Sequence, residues 1–76
     1  MYYEMKPDAT GLFTIRVLHD GALFSRRTLT ARQTREALTN LQERWSEIEK
    51  TPGRLAFLID DPEGVTHVIA SLRRAA

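Results

Sequence analysis

The chain contains no cysteine. That excludes a disulfide framework, a thiolate nucleophile and any sulfur-ligated zinc or iron centre. Its glycines, Gly11, Gly21, Gly53 and Gly64, stand apart from one another, so no glycine-rich loop is present to cradle phosphates and no cofactor is expected. No apolar run approaches the length of a membrane-spanning helix. The opening MYYEMKPD carries glutamate and lacks an apolar stretch, unlike a secretion signal. A cytoplasmic protein with no membrane partner is the expectation. An excess of one charge is missing too: the net charge is +1, which argues against a protein whose main task is to coat nucleic acid. What remains is ordinary for a folded chain, 42% apolar and 28% charged over 76 residues. That suits one compact domain spanning 1–76, close to the size at which a hydrophobic core alone suffices.

The strongest pattern runs from Thr30 to Lys50. Leu38, Leu41, Trp45 and Ile48 recur at steps of three and four with Ala37 beside them, which places them on one stripe of an α-helix. Thr30 suits the N-cap, and Gln33 three residues later completes a capping box. Thr51-Pro52-Gly53 ends the helix, because proline cannot continue its hydrogen-bond ladder.

The rest reads as short strands. Tyr2 to Lys6 is a candidate edge strand, and 7–11 is a turn by composition. Leu12 to His19 alternates, with Phe13, Ile15 and Val17 on one face and Thr14 and Arg16 on the other. Asp20-Gly21 then predicts a two-residue type I′ hairpin returning through Ala22 to Leu29. An unbroken register would pair Val17 with Phe24 and Phe13 with Thr28. Phe24 would then join the core face, and Ser25, Arg27, Leu12, Leu18, Leu23 and Leu29 would lie on the outer face. The LAFLI run at 55–59 suits an inner strand covered on both faces. After the turn at Asp61-Pro62-Glu63-Gly64, the β-branched residues of 65–72 favour a strand paired with that run, although Val65, Val68, Ile69 and Leu72 also fit helical spacing. The expected architecture is α+β: an antiparallel sheet of four to five strands packed on one long helix, in the order β-β-β-α-β-β. In its layers alone this is similar to small antitoxin and double-stranded-RNA-binding folds, an analogy that transfers no residues.

Catalytic signals are sparse. His19 and His67 are the side chains that ordinarily titrate near neutrality, yet neither has a nucleophile or a metal-ligand spacing beside it. Asp60, Asp61 and Glu63 occupy a turn where solvated acids are routine. No enzyme and no metal site is expected. The arginines stand out more. Arg26, Arg27, Arg32 and Arg35 fall in a stretch without a single acid, while Glu43, Glu47 and Glu49 crowd the far end of the helix. Both placements run against the helix dipole, at a cost of only a few tenths of a kcal/mol when exposed. These arginines, extended by Arg16, form a candidate partner-binding surface. Leu12, Leu18, Leu23, Leu29, Tyr2 and Tyr3 form a candidate apolar interface, because one helix cannot cover them all. The expected function is therefore a small adaptor, regulator or inhibitor that docks on a larger protein or assembly. Bacterial and phage-borne inhibitors of host defence complexes are one such class. Self-association is a second way to cover the leucines. Nucleic-acid binding through the same arginines, as in an antitoxin, is the rival reading.

Overall fold

In the computed structural model, which describes residues 3–74, Asp20 and Gly21 form the turn that their dipeptide predicts, with φ of 50° and 84°. A type I′ turn requires both values to be positive, and only glycine and short polar residues accept that conformation cheaply. The turn joins β1 (Leu12–His19) to β2 (Ala22–Thr30). Next come α1 (Ala31–Glu43) and a single further helical turn, α2 (Trp45–Ile48). β3 (Gly53–Asp60) and β4 (Thr66–Arg74) complete the chain. The four strands make one antiparallel sheet in the order β2-β1-β3-β4. The fold is thus small α+β, and 66–74 is a strand.

Residues 3–6 do not form the expected edge strand. Tyr3, Met5 and Ala9 pack against the core instead, and Arg35 fastens this segment by donating to the carbonyls of Lys6 and Pro7 at 3.0 and 2.9 Å. Tyr2 lies outside the described residues. The sheet therefore has four strands, and none precedes β1 among the described residues.

The helix begins where the capping box places it. Thr30 Oγ1 accepts from the Gln33 amide at 3.2 Å, and Gln33 Oε1 accepts from the Thr30 amide at 3.0 Å. It ends sooner than its apolar stripe predicts: Arg44 leaves helical geometry with φ −99° and ψ 7°. The last turn of α1 holds no basic residue to complement its negative end, and Glu43 opposes that end, so nothing electrostatic favours prolonging it. Trp45 and Ile48 still reach the core from α2, with the Trp45 ring 5.9 Å from that of Phe57.

Two β-bulges set which side chains face the helix. The β1–β2 register runs as expected from the turn to Leu18↔Leu23 and then shifts, so Val17 faces Ser25 and Phe13 faces Leu29. Phe24 becomes the extra residue. The expected pairings of Val17 with Phe24 and Phe13 with Thr28 are thereby replaced, and Ser25, Arg27 and Leu29 move to the helix side. The shift buries Leu29 to 6% exposure beside Phe13, where the unbroken register would have placed a threonine; hydrophobic burial decides it. A second bulge between Phe57 and Leu58 makes Ile69 the extra residue of β4. It turns Ile69, Ala70 and Leu72 toward the helix together, and Ile69 is fully buried.

The core comprises Phe13, Leu55, Phe57, Ile59, Ile69 and Ala70, with Ala31 from the helix. β3 is an inner strand as expected, but it is covered on one face. Leu55, Phe57 and Ile59 are buried, whereas Ala56 and Leu58 are half-buried.

The start of β3 is clasped to the β1–β2 turn. Asp20 Oδ1 accepts from the Arg54 amide and the Asp20 amide donates to the Arg54 carbonyl, both at 2.8 Å. Gly53 stands against this clasp with φ of 94°, and a Cβ there would lie 2.8 Å from Asp20 Oδ1. Gly53→Ala therefore combines a left-handed backbone with a displaced carboxylate and is expected to destabilise by about 2 kcal/mol or more. Gly64→Ala, left-handed but facing open space, should cost about 1 kcal/mol. Thermal unfolding of the two variants checks the difference; equal losses would remove the clasp from the account.

Candidate interaction surface

Strand alternation and the observed register fix the face opposite the helix. Across the strands, Leu23, Leu18, Ala56 and Ser71 form one row, and Arg26, Arg16, Leu58 and Val68 the next. Thr28, Thr14, Asp60 and Thr66 lie on one side of these, and Arg54 with Arg73 on the other. No described element covers this face: α1, α2 and the packed part of the N-terminal segment lie on the other side. Leu12 and Leu23 are 60% and 57% exposed and Val68 is 50% exposed.

Arg16 and Arg26 face each other across the strands, as do Arg54 and Arg73. Like charges directly opposite are unfavourable in an isolated sheet. Arg16 is compensated. Its Nε and Nη2 donate to Asp60 at 3.0 and 2.9 Å, and the Thr66 hydroxyl donates to the same carboxylate. Together these hold the Asp60 carboxyl below its ordinary range, the Thr66 hydrogen bond contributing most and the Arg16 hydrogen bond next. Arg26, Arg54 and Arg73 make no ion pair among the described residues. Asp60 is the sole carboxylate on this face among the described residues. The result is an open face with apolar residues at its centre and arginines at its rim, of which Arg26 acts on Asp60 only through its charge, without an ion pair.

The sequence-predicted arginines do not gather in one place. Arg16 and Arg26 share the open face, but Arg27 lies on the helix side. Arg32 is exposed on α1 and reaches Glu36 at 3.7 Å. Arg35 holds the N-terminal segment. The predicted leucines divide likewise: Leu12, Leu18 and Leu23 are on the open face, while Leu29 is core. Tyr3 is half-buried and stacks on His67 at 4.9 Å. Burial, with Asp61 and Glu63 nearby, raises its phenol pKa. Sequence reasoning passed over Arg54 and Arg73: counting back from the Asp61-Pro62-Glu63-Gly64 turn in an unbroken register sets Arg54 opposite Leu72, and only the extra residue Ile69 brings it opposite Arg73.

Both histidines contact nearby turn residues. His19 Nε2 lies 3.3 Å from the Pro52 carbonyl and 3.6 Å from Asp20 Oδ2. His67 Nε2 lies 2.9 Å from Asp61 Oδ2, and it donates, since an ionised carboxylate only accepts. Asp61 Oδ1 also accepts from the amides of Glu63 and Val65 at 3.0 and 2.9 Å. These contacts lower the Asp61 pKa, the His67 hydrogen bond most and the Val65 amide next. No group of three or more potential metal ligands occurs among the described residues, and no described helix is long and apolar enough to cross a membrane.

Both lowered carboxyls act in one direction with pH. Stability they contribute is fully present above the ordinary value of 3.8 and is lost as pH falls through their folded-state values. The melting temperature is therefore expected to hold steady from about pH 7 to pH 5 and to fall below about pH 4. Asp60→Asn with Asp61→Asn should flatten that fall. A variant as acid-sensitive as wild type would show that other groups govern it. No protein-family model, curated protein or solved structure matches this chain, so the functional reading rests on this geometry alone.

Proposed function

We propose that this protein is a non-enzymatic interaction module, an adaptor, regulator or inhibitor that docks on an acidic, partly apolar surface of a larger protein or assembly. One observation carries the reading: the sheet face bearing Leu18, Leu23, Leu58 and Val68, rimmed by Arg26, Arg54 and Arg73, is covered by no described part of the chain. Exposed apolar area of this kind marks an interaction site, and arginine is enriched at protein interfaces. A partner's carboxylates would relieve the facing arginine pairs, which gain nothing from one another.

The same arginines suit a phosphate backbone. The lack of aromatic side chains on this face among the described residues favours a protein, because bases are gripped by stacking. The test compares wild type with the triple variant Arg26→Glu, Arg54→Glu and Arg73→Glu in partner capture, with and without nuclease and across salt. A nuclease-resistant protein lost in the variant supports the reading. Capture abolished by nuclease and steeply weakened by salt transfers it to nucleic acid.

A further inference from the structure

On the helix side, α1 is fully buried only in its first turns. Ala31 and Thr34 are buried in its first turns, while Ala37, Leu38 and Leu41 further along are half-buried. The floor beneath this later part is incompletely covered as well, with Ile15 and Val17 half-buried. Between them lies a cleft of about 530 Å³, within the range typical of small-molecule sites. It crosses the sheet from Phe24 on β2 through Val17 and Phe57 to Ile69 on β4. At ordinary strand spacing that span is about 14 Å, comparable with an extended dodecanoyl chain.

The charges lining this cleft have one sign. Arg27 and Arg44 line it, and no aspartate or glutamate does among the described residues. Arg27 makes no ion pair among the described residues, and Arg44 meets only Glu47 at 3.9 Å, longer than a hydrogen bond. Phe24, 75% exposed, stands at the β2 edge of the cleft with its ring edge-on to His19 at 6.5 Å. An apolar slot roofed by a helix and floored by a sheet admits a slender chain more readily than a folded element of a partner.

We infer that the cleft between α1 and the sheet is a binding site for an elongated aliphatic carboxylate. The chain lies across Val17 and Phe57, and the carboxylate is held by Arg27 and Arg44. This site is on the opposite side of the sheet from the proposed docking face, so either assignment stands or falls without the other.

Dodecanoate, kept below its micelle concentration, is the probe. Titration calorimetry reads the binding, and the single Trp45, packed on the cleft residue Phe57, reads it by fluorescence. Saturable one-to-one binding is expected. It should weaken about tenfold in the Arg27→Glu, Arg44→Glu double variant, and dodecanol should bind wild type about tenfold more weakly than dodecanoate does. Ala37→Phe, which fills the cleft from its roof, should abolish binding. The double variant alters exposed residues, so it keeps the test open if Ala37→Phe does not fold. Absence of saturable binding to wild type overturns the inference. Binding untouched by either arginine reversal or cleft filling overturns it as well, as does dodecanol binding equal to dodecanoate. A ligand-free dimer in sedimentation whose Phe24→Ser variant is monomeric, with no dodecanoate bound by either, would give the cleft to a second copy.

Discussion

Ile59→Ala is expected to remove about 3–5 kcal/mol of folding stability, the range for emptying a fully buried aliphatic site that cannot collapse. Ile59 has 0% exposure and lies on inner strand β3 between Ile15 of β1 and His67 of β4. Hydrogen-bonded strands on both sides prevent the backbone from closing on the void. A domain of this length has about 4–11 kcal/mol in total, so the variant should be substantially unfolded at room temperature or melt far below wild type. Leu58→Ala, one residue earlier and on the half-buried open face, should cost about 1 kcal/mol, because less apolar area leaves solvent there in the first place. Urea unfolding followed by Trp45 fluorescence compares them. Equal losses would mean that β3 is covered on both sides, and the open face would cease to be a docking surface.

Reversing Arg26, Arg54 and Arg73 to glutamate should weaken partner binding by about two orders of magnitude while leaving the fold intact. The three side chains make no ion pair among the described residues, so their removal strands no buried carboxylate. Against an acidic partner, each new glutamate replaces attraction with repulsion, and like charges across an interface are costly. Reversing Arg32 and Arg35 instead should affect partner binding little. Arg32 projects from α1, and Arg35 serves the N-terminal segment, so loss of Arg35 should appear in stability. Circular dichroism checks the fold and surface plasmon resonance the affinity once a partner is in hand. If the Arg32, Arg35 pair proves the more damaging to binding, the contact surface lies on the helix.

The sequence by itself determined the local pieces: the capping box at Thr30 and Gln33, the positive-φ turn at Asp20-Gly21, the Asp61–Gly64 turn, and the stripe of Leu38, Leu41, Trp45 and Ile48. Each depends on residues within a few positions of one another, where hydrogen-bond geometry and backbone sterics act without help from distant chain. Tertiary structure decided the rest. Alternation alone cannot show that Phe24 and Ile69 are bulged, because a bulge is chosen by what the neighbouring strand buries opposite it, Leu29 beside Phe13 and Leu72 beside Leu55. That one-residue shift moved Arg27 and Leu29 to the helix side, leaving Arg26 beside Arg16 and separating arginines that are adjacent in the chain. Likewise, Tyr3 and Met5 pack over the core, although the alternation of Tyr2 to Lys6 suits a strand. Membership of the open face is a property of strand pairing, and pairing is settled by long-range burial.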